Sequence, residues 1–223
     1  MKKERKLIEN NKLINSKLRV QKFGEVFTSE KEVNNMLNMF DHELQRPESR
    51  FLESACGEGN FLVAILKKKL SKIFSIYKKN QLDCEKYSIL AVSSLYGIDI
   101  IKDNVDKTIK NLEILVLTEF SKIFKVIKND FKKTINYILN KNIIYGDSLT
   151  LTIKDKKKPI VFSEWSFMNP TLIKRRDFTF KHLIDSRPFD GFNLFSDLGE
   201  KAFIPEPEKE FDGKFFLKLY ELE

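Results

Sequence analysis

Residues 50–74 read RFLESACGEGNFLVAILKKKLSKIF. Phe51 and Leu52 are the apolar end of a short buried strand, and CGEGN brings Gly57 and Gly59 into a tight turn. From Phe61 onward Leu62, Ile65, Leu66, Leu70 and Ile73 recur at intervals of three and four, the spacing of one helix face. Strand, glycine turn and helix in that order form the opening unit of an α/β sheet, in which the turn sits at the strand's carboxyl end.

The units that follow repeat the alternation. A helical pattern over Tyr87–Leu95 runs into a strand, Leu95–Ile98, ending at Asp99, and IKDNVDKTIKNLEIL then returns to helical spacing. The Lys-rich FSKIFKVIKNDFKKTINYIL (120–139) reads as helix and leads into the strand NIIYG, with Asp147 just past its end; Pro159 introduces a further strand, Ile160–Phe162. Strands alternating with helices predict a doubly wound, mostly parallel, Rossmann-like sheet with right-handed crossovers. Beyond Trp165 the pattern is less regular: KRRDFTFKHLI (174–184) reads as helix, and AFIPEPEKEF (202–211) is too proline-rich for either element.

Upstream, FGEVFTSEKEVNNMLNMF places Ser29 three residues before Glu32, the spacing of a capping box, ahead of Val33, Met36, Leu37 and Phe40 at helical intervals. Residues 1–22 carry a loose helical pattern on a basic arm, readable as a solvated capping helix or as a partner-binding arm. The expected organisation is a helical arm over 1–45, an α/β core over 46–168 and an extension over 169–223 that packs on the core.

A chain of 223 residues accommodates one full domain with a modest extension. Apolar residues at 42%, with 20 Phe, exclude global disorder. No apolar run approaches the roughly 20 residues that span a bilayer, and the N-terminus lacks the apolar core of a signal peptide, so a soluble, cytoplasmic protein of bacterial or phage type is expected. Two Cys without a CxxC pair and two His argue against a metal site. The formal charge of +8 invites a polyanionic partner. Lys, Asn, Ile and Phe are all written with AT-rich codons, however, so the lysine count is permissive for nucleic acid without demonstrating it.

Three strand ends carry an acid: Glu53, Asp99 and Asp147. Ligands of such sheets sit beyond the carboxyl ends of the strands. Carboxylates there accept hydrogen bonds from an amine and from a ribose diol, and a third suits the exocyclic amine of adenine. Gly57 and Gly59 let a ligand approach the backbone, since a Cβ would obstruct it. Together these describe an adenosyl cofactor with a cationic amino-acid end. Taken singly, each acid is equally an exposed charge at a strand end, and Cys56 reads as a packed side chain and not a nucleophile.

The same segments, in the same order, resemble the S-adenosylmethionine-dependent N6-adenine DNA methyltransferases of restriction-modification systems. FGEVFTS (23–29) resembles the family's GQFFTP-like motif, ESACGEGNFL (53–62) its DPACGTGGFL-like glycine motif, and YGIDI (96–100) and YGDSL (145–149) its next two cofactor loops. The resemblance covers about residues 20–150. It implies S-adenosylmethionine as cofactor, held by Phe27, Thr28, Glu53, Ala55, Cys56, Gly57, Gly59, Asn60, Phe61, Asp99, Ile100, Asp147 and Ser148, and DNA as the acceptor. The family's acceptor site reads Asn-Pro-Pro-Tyr or a near variant at the end of the fourth strand, where it binds the amine of a flipped base. No such tetrapeptide occurs in these residues.

Two degenerate candidates stand in its place: SEWSF, with Ser163 to accept a hydrogen bond and Trp165 or Phe167 to stack, and the Asn169–Pro170 pair of MNPT. Lys174, Arg175 and Arg176 form a compact basic cluster able to contact DNA phosphates or to end a solvated helix. The 58 residues after Trp165 are too few for a conventional target-recognition domain, so a separate specificity or second methyltransferase subunit is an expected partner. A non-catalytic accessory subunit that keeps the fold is the alternative.

Overall fold

The computed structural model describes residues 28–185 and 206–222. Phe27, the basic arm and most of FGEVFTS lie outside the described residues. Helix α1 (Glu30–Leu37) opens with the capping box read from the sequence: Ser29 Oγ accepts from the Glu32 amide and Glu32 Oε2 accepts from the Ser29 amide. A short 3-10 turn (Asn38–Phe40) and α2 (Asp41–Leu44) follow. Then come β1 (Phe51–Glu53), α3 (Asn60–Tyr77), α4 (Gln81–Ser93), β2 (Leu95–Asp99), α5 (Lys102–Ser121), α6 (Asn129–Asn142) and β3 (Ile143–Asp147). The chain continues as β4 (Thr152–Ile153), β5 (Val161–Phe167), β6 (Leu172–Thr179), α7 (Phe180–Asp185), β7 (Lys209–Phe215) and a 3-10 helix over Phe216–Glu221.

The fold is α/β, with a four-stranded, mostly parallel sheet in the order β1-β2-β3-β4. β1 and β2 pair in parallel with Glu53 opposite Gly97, β2 and β3 pair in parallel with Asp99 opposite Tyr145, and the short β4 turns back antiparallel to the end of β3. Period-two alternation divides the sheet's two faces. Leu95 and Ile143 join the main core, built from Leu62, Leu66 and Leu70 of α3, Ile89 and Val92 of α4, Leu112 of α5, and Ile135 and Leu139 of α6. Tyr96 and Ile98 point the other way, into a small cluster with Ile160, Phe162 and Phe180. Helices α3–α6 thus gather on one face. The second face meets β5 and α7 where a doubly wound sheet would carry another helical layer, and the described strand order has no reversal.

The end of AFIPEPEKEF, read as neither helix nor strand, opens β7 at Lys209, and the sequence reading needs correction in three further places. The helix expected over 120–139 is interrupted: α5 ends at Ser121 and α6 begins at Asn129, without a glycine or proline between them to signal the break. The buried rings of Phe120 and Phe131, 4.9 Å apart, lock the two helices together across it. The strand expected to end at Phe162 continues to Phe167, so SEWSF lies within β5 and not at a parallel strand's end. KRRDFT is strand β6 and not helix; its alternate residues Ile173 and Arg175 face inward, and it pairs antiparallel with β5 and β7 in a separate three-stranded sheet. That sheet draws on residues to both sides of position 168.

One charge is deeply buried on the helical side. Lys69 of α3 donates to the Pro47 carbonyl (3.1 Å), the Ser49 carbonyl and Ser94 Oγ (2.6 Å). Burial pushes its ammonium down to about 7, against the weaker opposing pull of Glu48 and Glu43. Three acceptors satisfy the three donors of the head group, and they tie the loop entering β1 to the end of α4. No helix among the described residues is long and apolar enough to cross a membrane.

Candidate functional site

The carboxyl ends of β1, β2 and β3 open into a cavity of about 340 Å³. Thr28, Glu53, Ala55, Cys56, Gly57, Asn60, Phe61, Asp99, Ile100, Asp147 and Ser148 all line it, so eleven of the thirteen residues expected to share a site do so. Gly59 is buried within the turn and does not line the cavity, and Phe27 lies outside the described residues. Ser54, Ile101, Asn104, Gly146 and Leu149 complete the wall. Of these, Asn104 was legible only in hindsight: it sits one turn into α5, a position that faces back toward the strand it follows.

The glycine turn is held from both sides. The Cys56 amide donates to the Ile98 carbonyl (2.9 Å), the Gly59 amide to the Cys56 carbonyl (2.8 Å), and Thr108 Oγ1 to the Gly57 carbonyl (2.9 Å). Gly57 and Gly59 both adopt positive φ, +53° and +85°. Gly59 is the N-cap of α3, and a Cβ there would lie 2.8 Å from Thr108 Cγ2. Gly59→Ala therefore combines left-handed strain with a clash against a side chain that holds the loop. We expect it to destabilise the protein by about 1–3 kcal/mol, read as a lower urea midpoint at unchanged slope. An unchanged midpoint would mean the turn is not held as described.

The three acids are in different states. Asp99 is committed to the loop: Oδ2 accepts from the Gly57 amide (2.8 Å), and Oδ1 accepts from the Ile101 amide (2.8 Å) and Asn104 Nδ2 (3.3 Å). Asp147 Oδ1 accepts from the amides of Leu149 (2.9 Å) and Thr150 (3.3 Å). Those bonds hold the Asp147 carboxyl below its usual range, opposed by slight desolvation and helped by the charge of Lys154. Glu53 differs from both. Its Oε2 is buried and has no hydrogen-bond partner among the described residues. Burial, and then the negative charge of Asp99, push its carboxyl up to about 8. A buried polar atom without a partner costs free energy unless something else satisfies it.

The cavity is thus lined by Glu53, one of whose carboxyl oxygens is buried without a partner, beside a carboxylate already organised by backbone amides. Its volume falls within the roughly 300–1,000 Å³ of small-molecule sites. Ile100 and Leu149 line the cavity, Leu149 at 93% exposure, and offer apolar contact to a ring. The Cys56 thiol is pushed up to about 12 by burial, Asp99 and Glu53, so it stays protonated and is no nucleophile.

The candidates for acceptor chemistry and DNA contact are placed elsewhere, and each is engaged by the fold. Ser163 Oγ donates to Asp177 Oδ1 (2.8 Å), and the Ser163 carbonyl accepts from Tyr96 Oη (3.0 Å). Trp165 is buried against Tyr137, its indole N–H toward Asn142 Oδ1 (3.4 Å). Asn169 Oδ1 accepts from the Thr171 and Leu172 amides (both 2.9 Å), closing the β5–β6 turn in which Pro170 sits. None of the four lines the cavity. In the basic cluster, Lys174 pairs with Glu210 and Arg176 with Glu164 (2.7 Å), while Arg175 is 3% exposed in a bidentate pair with Asp177. These three side chains stitch β6 to its neighbours. Among the described residues no group of His, Cys, Asp and Glu side chains is placed to hold a metal ion.

Compared with known proteins, the chain matches no protein-family model, no curated protein and no solved structure.

Proposed function

We propose that the cavity at the ends of β1–β3 binds S-adenosylmethionine and that the chain belongs to the adenine-N6 DNA methyltransferase type of restriction-modification protein. The observation that carries the reading is the convergence of Glu53, Asp99, Asp147 and the Gly57–Gly59 turn on one cavity, one carboxyl oxygen of Glu53 being buried there without a partner. The residues suit the group in three respects. Glu53 would accept from the cofactor's ammonium and become ionised, while Asp99, anchored by three donors, would present its carboxylate to a ribose diol. Ile100 and Leu149 would sandwich the adenine, and Asp147, with one oxygen held by two amides, would accept from the adenine's amine through the other. The cofactor supplies an electrophilic methyl group; the protein's part, in this reading, is to fix its orientation and to keep Cys56 protonated beside it.

A second reading is favoured by a specific observation: Ser163, Trp165 and Asn169 are all occupied in holding the antiparallel sheet together. In that reading the chain binds cofactor as an accessory or regulatory subunit, and the acceptor-binding groups come from a partner chain. One pair of experiments separates them. Calorimetric titration with S-adenosylmethionine should show one site per chain in both readings. Incubation with labelled cofactor and duplex DNA of varied sequence should yield N6-methyladenine under the first reading and none under the second. Absence of cofactor binding by folded protein would overturn both.

A further inference from the structure

We propose that the hairpin formed by β4 and residues 158–160, which lead into β5, is a nucleic-acid-binding finger, with Lys154, Lys156, Lys157 and Lys158 contacting backbone phosphates. The proposal takes DNA as the partner from the function proposed above, and goes beyond it by assigning the surface. The hairpin is well formed: the Ile153 amide donates to the Lys158 carbonyl (2.8 Å), the Lys157 amide to the Ile153 carbonyl (3.0 Å) and the Ile160 amide to the Leu151 carbonyl (2.9 Å). A bridge joins Thr152 to Pro159 across it. Lys157 takes a positive φ of 49° at the bend. The tip, KDKKK over 154–158, is exposed at every position and contains four lysines and one aspartate.

These lysines differ from the ones that hold the fold's own acids. Lys102, Lys107, Lys122, Lys128 and Lys174 each neutralise a carboxylate of the fold. None of the four at the tip is in an ion pair among the described residues. The tip sets four lysines against the single Asp155 on a defined protrusion, a local excess of positive charge. The hairpin also springs from the wall of the candidate site, because Thr152 and Ile153 pair with Asp147 and Gly146 of β3. The charge of Lys154 reaches Asp147 in the cavity.

Chemistry narrows the partner. The tip has no apolar side chain to enter a bilayer, so it is unlike a membrane-inserting loop. A two-stranded ribbon fits the major groove of a duplex, and point-charged lysines suit phosphate contacts that position without reading sequence. This finger replaces the Lys174–Arg176 cluster, whose charges are consumed within the antiparallel sheet.

The test uses the full chain and a fluorescently labelled duplex of about 20 base pairs, titrated between roughly 50 and 200 mM salt. Replacing Lys156, Lys157 and Lys158 together with Gln should weaken binding at least about tenfold at the lowest salt and reduce the slope of log affinity against log salt by about 3. A variant losing the same charge from α3 and its end, at Lys72, Lys78 and Lys79, should keep the wild-type slope. Equal losses in the two variants, or an unchanged slope in the hairpin variant, would overturn the proposal. So would a wild-type protein that ignores the duplex but binds anionic vesicles or polyglutamate through this hairpin. All three positions are exposed, and matching thermal unfolding curves check that the variant folds. Cofactor titration of the hairpin variant separates the two ideas: loss of DNA affinity with cofactor binding intact supports the finger, whereas a wild type that binds duplex through the finger but takes no cofactor removes only the function proposed for the cavity.

Discussion

Glu53→Gln should make the ligand-free protein more stable at neutral pH and, at the same time, a poorer binder of S-adenosylmethionine. The two signs follow from one group. Glu53 holds its proton to about pH 8 in the folded chain, against an ordinary value of 4.5. The folded state therefore binds more protons than the unfolded state across that window. Its stabilising contribution is complete below pH 4.5, declines as pH rises from 4.5 to 8, and stays at its minimum above. At 1.36 kcal/mol per pKa unit the loss by pH 7 has a ceiling of about 3 kcal/mol; access of water to the cavity brings it to about 2 kcal/mol.

Glutamine keeps the shape and cannot ionise, so the variant should unfold about 4–8 °C higher than wild type at pH 8 and at the same temperature near pH 4. A cationic ligand reverses the balance, because its ammonium supplies the counter-charge that the Glu53 carboxyl lacks. Loss of a charge-assisted hydrogen bond of about 1.5–3 kcal/mol should weaken cofactor affinity by about 10–100-fold in the variant. Thermal unfolding across pH, combined with calorimetry, reads both effects. A variant that loses stability and affinity together would show Glu53 to be an ordinary structural residue.

The largest stability effect is expected at Arg175. Its Nε and Nη2 donate to the two oxygens of Asp177 (3.0 and 3.1 Å), and Nη1 donates to the Leu222 carbonyl (3.0 Å) and to Tyr137 Oη. The guanidinium lies 3.7 Å from the centroid of Phe211. One side chain thus joins β6 to α6, β7 and the C-terminal 3-10 helix. Arg175→Ala leaves the Asp177 carboxylate mostly buried without a cation and should cost about 3–5 kcal/mol in urea unfolding. Replacing the pair together, with Arg175→Met and Asp177→Leu, should recover much of that loss, since an apolar pair avoids the uncompensated charge. An exposed phosphate-binding arginine would behave in the opposite way: its loss would leave stability intact and lower the salt dependence of DNA binding.

Arg175 also shows why part of the molecule was not legible. Read along the chain, KRR is a cluster of surface charge. Only the pairing of β6 with β5 and β7 turns the middle residue inward, and its partners Tyr137, Asp177 and Leu222 lie up to 47 positions away. SEWSF fails for a related reason. Glu164 and Ser166 made the stretch resemble a loop after a strand, yet they alternate with the inward Ser163 and Trp165 of a continuing strand. The β4 hairpin has two residues per strand and too short an alternation to register.

The cavity was legible because its signals are local and chemically unlike their surroundings: a glycine turn demanding positive φ, and an acid immediately after each of three apolar strands. Parallel pairing then brings consecutive strand ends together, which is why residues 46 to 94 positions apart in sequence, Glu53, Asp99 and Asp147, could be assigned to one site before any contact was known. What that local pattern did not contain was the arrangement on the second face, where β5 and α7 stand against Tyr96 and Ile98.

The cavity at the ends of β1–β3 is proposed to take S-adenosylmethionine. Calorimetric titration of the folded wild-type chain tests it most directly. Saturable binding of one cofactor per chain is expected, weakened in Glu53→Gln. Absence of binding by wild-type protein with an intact unfolding transition, or wild-type affinity retained by Glu53→Gln, would contradict it.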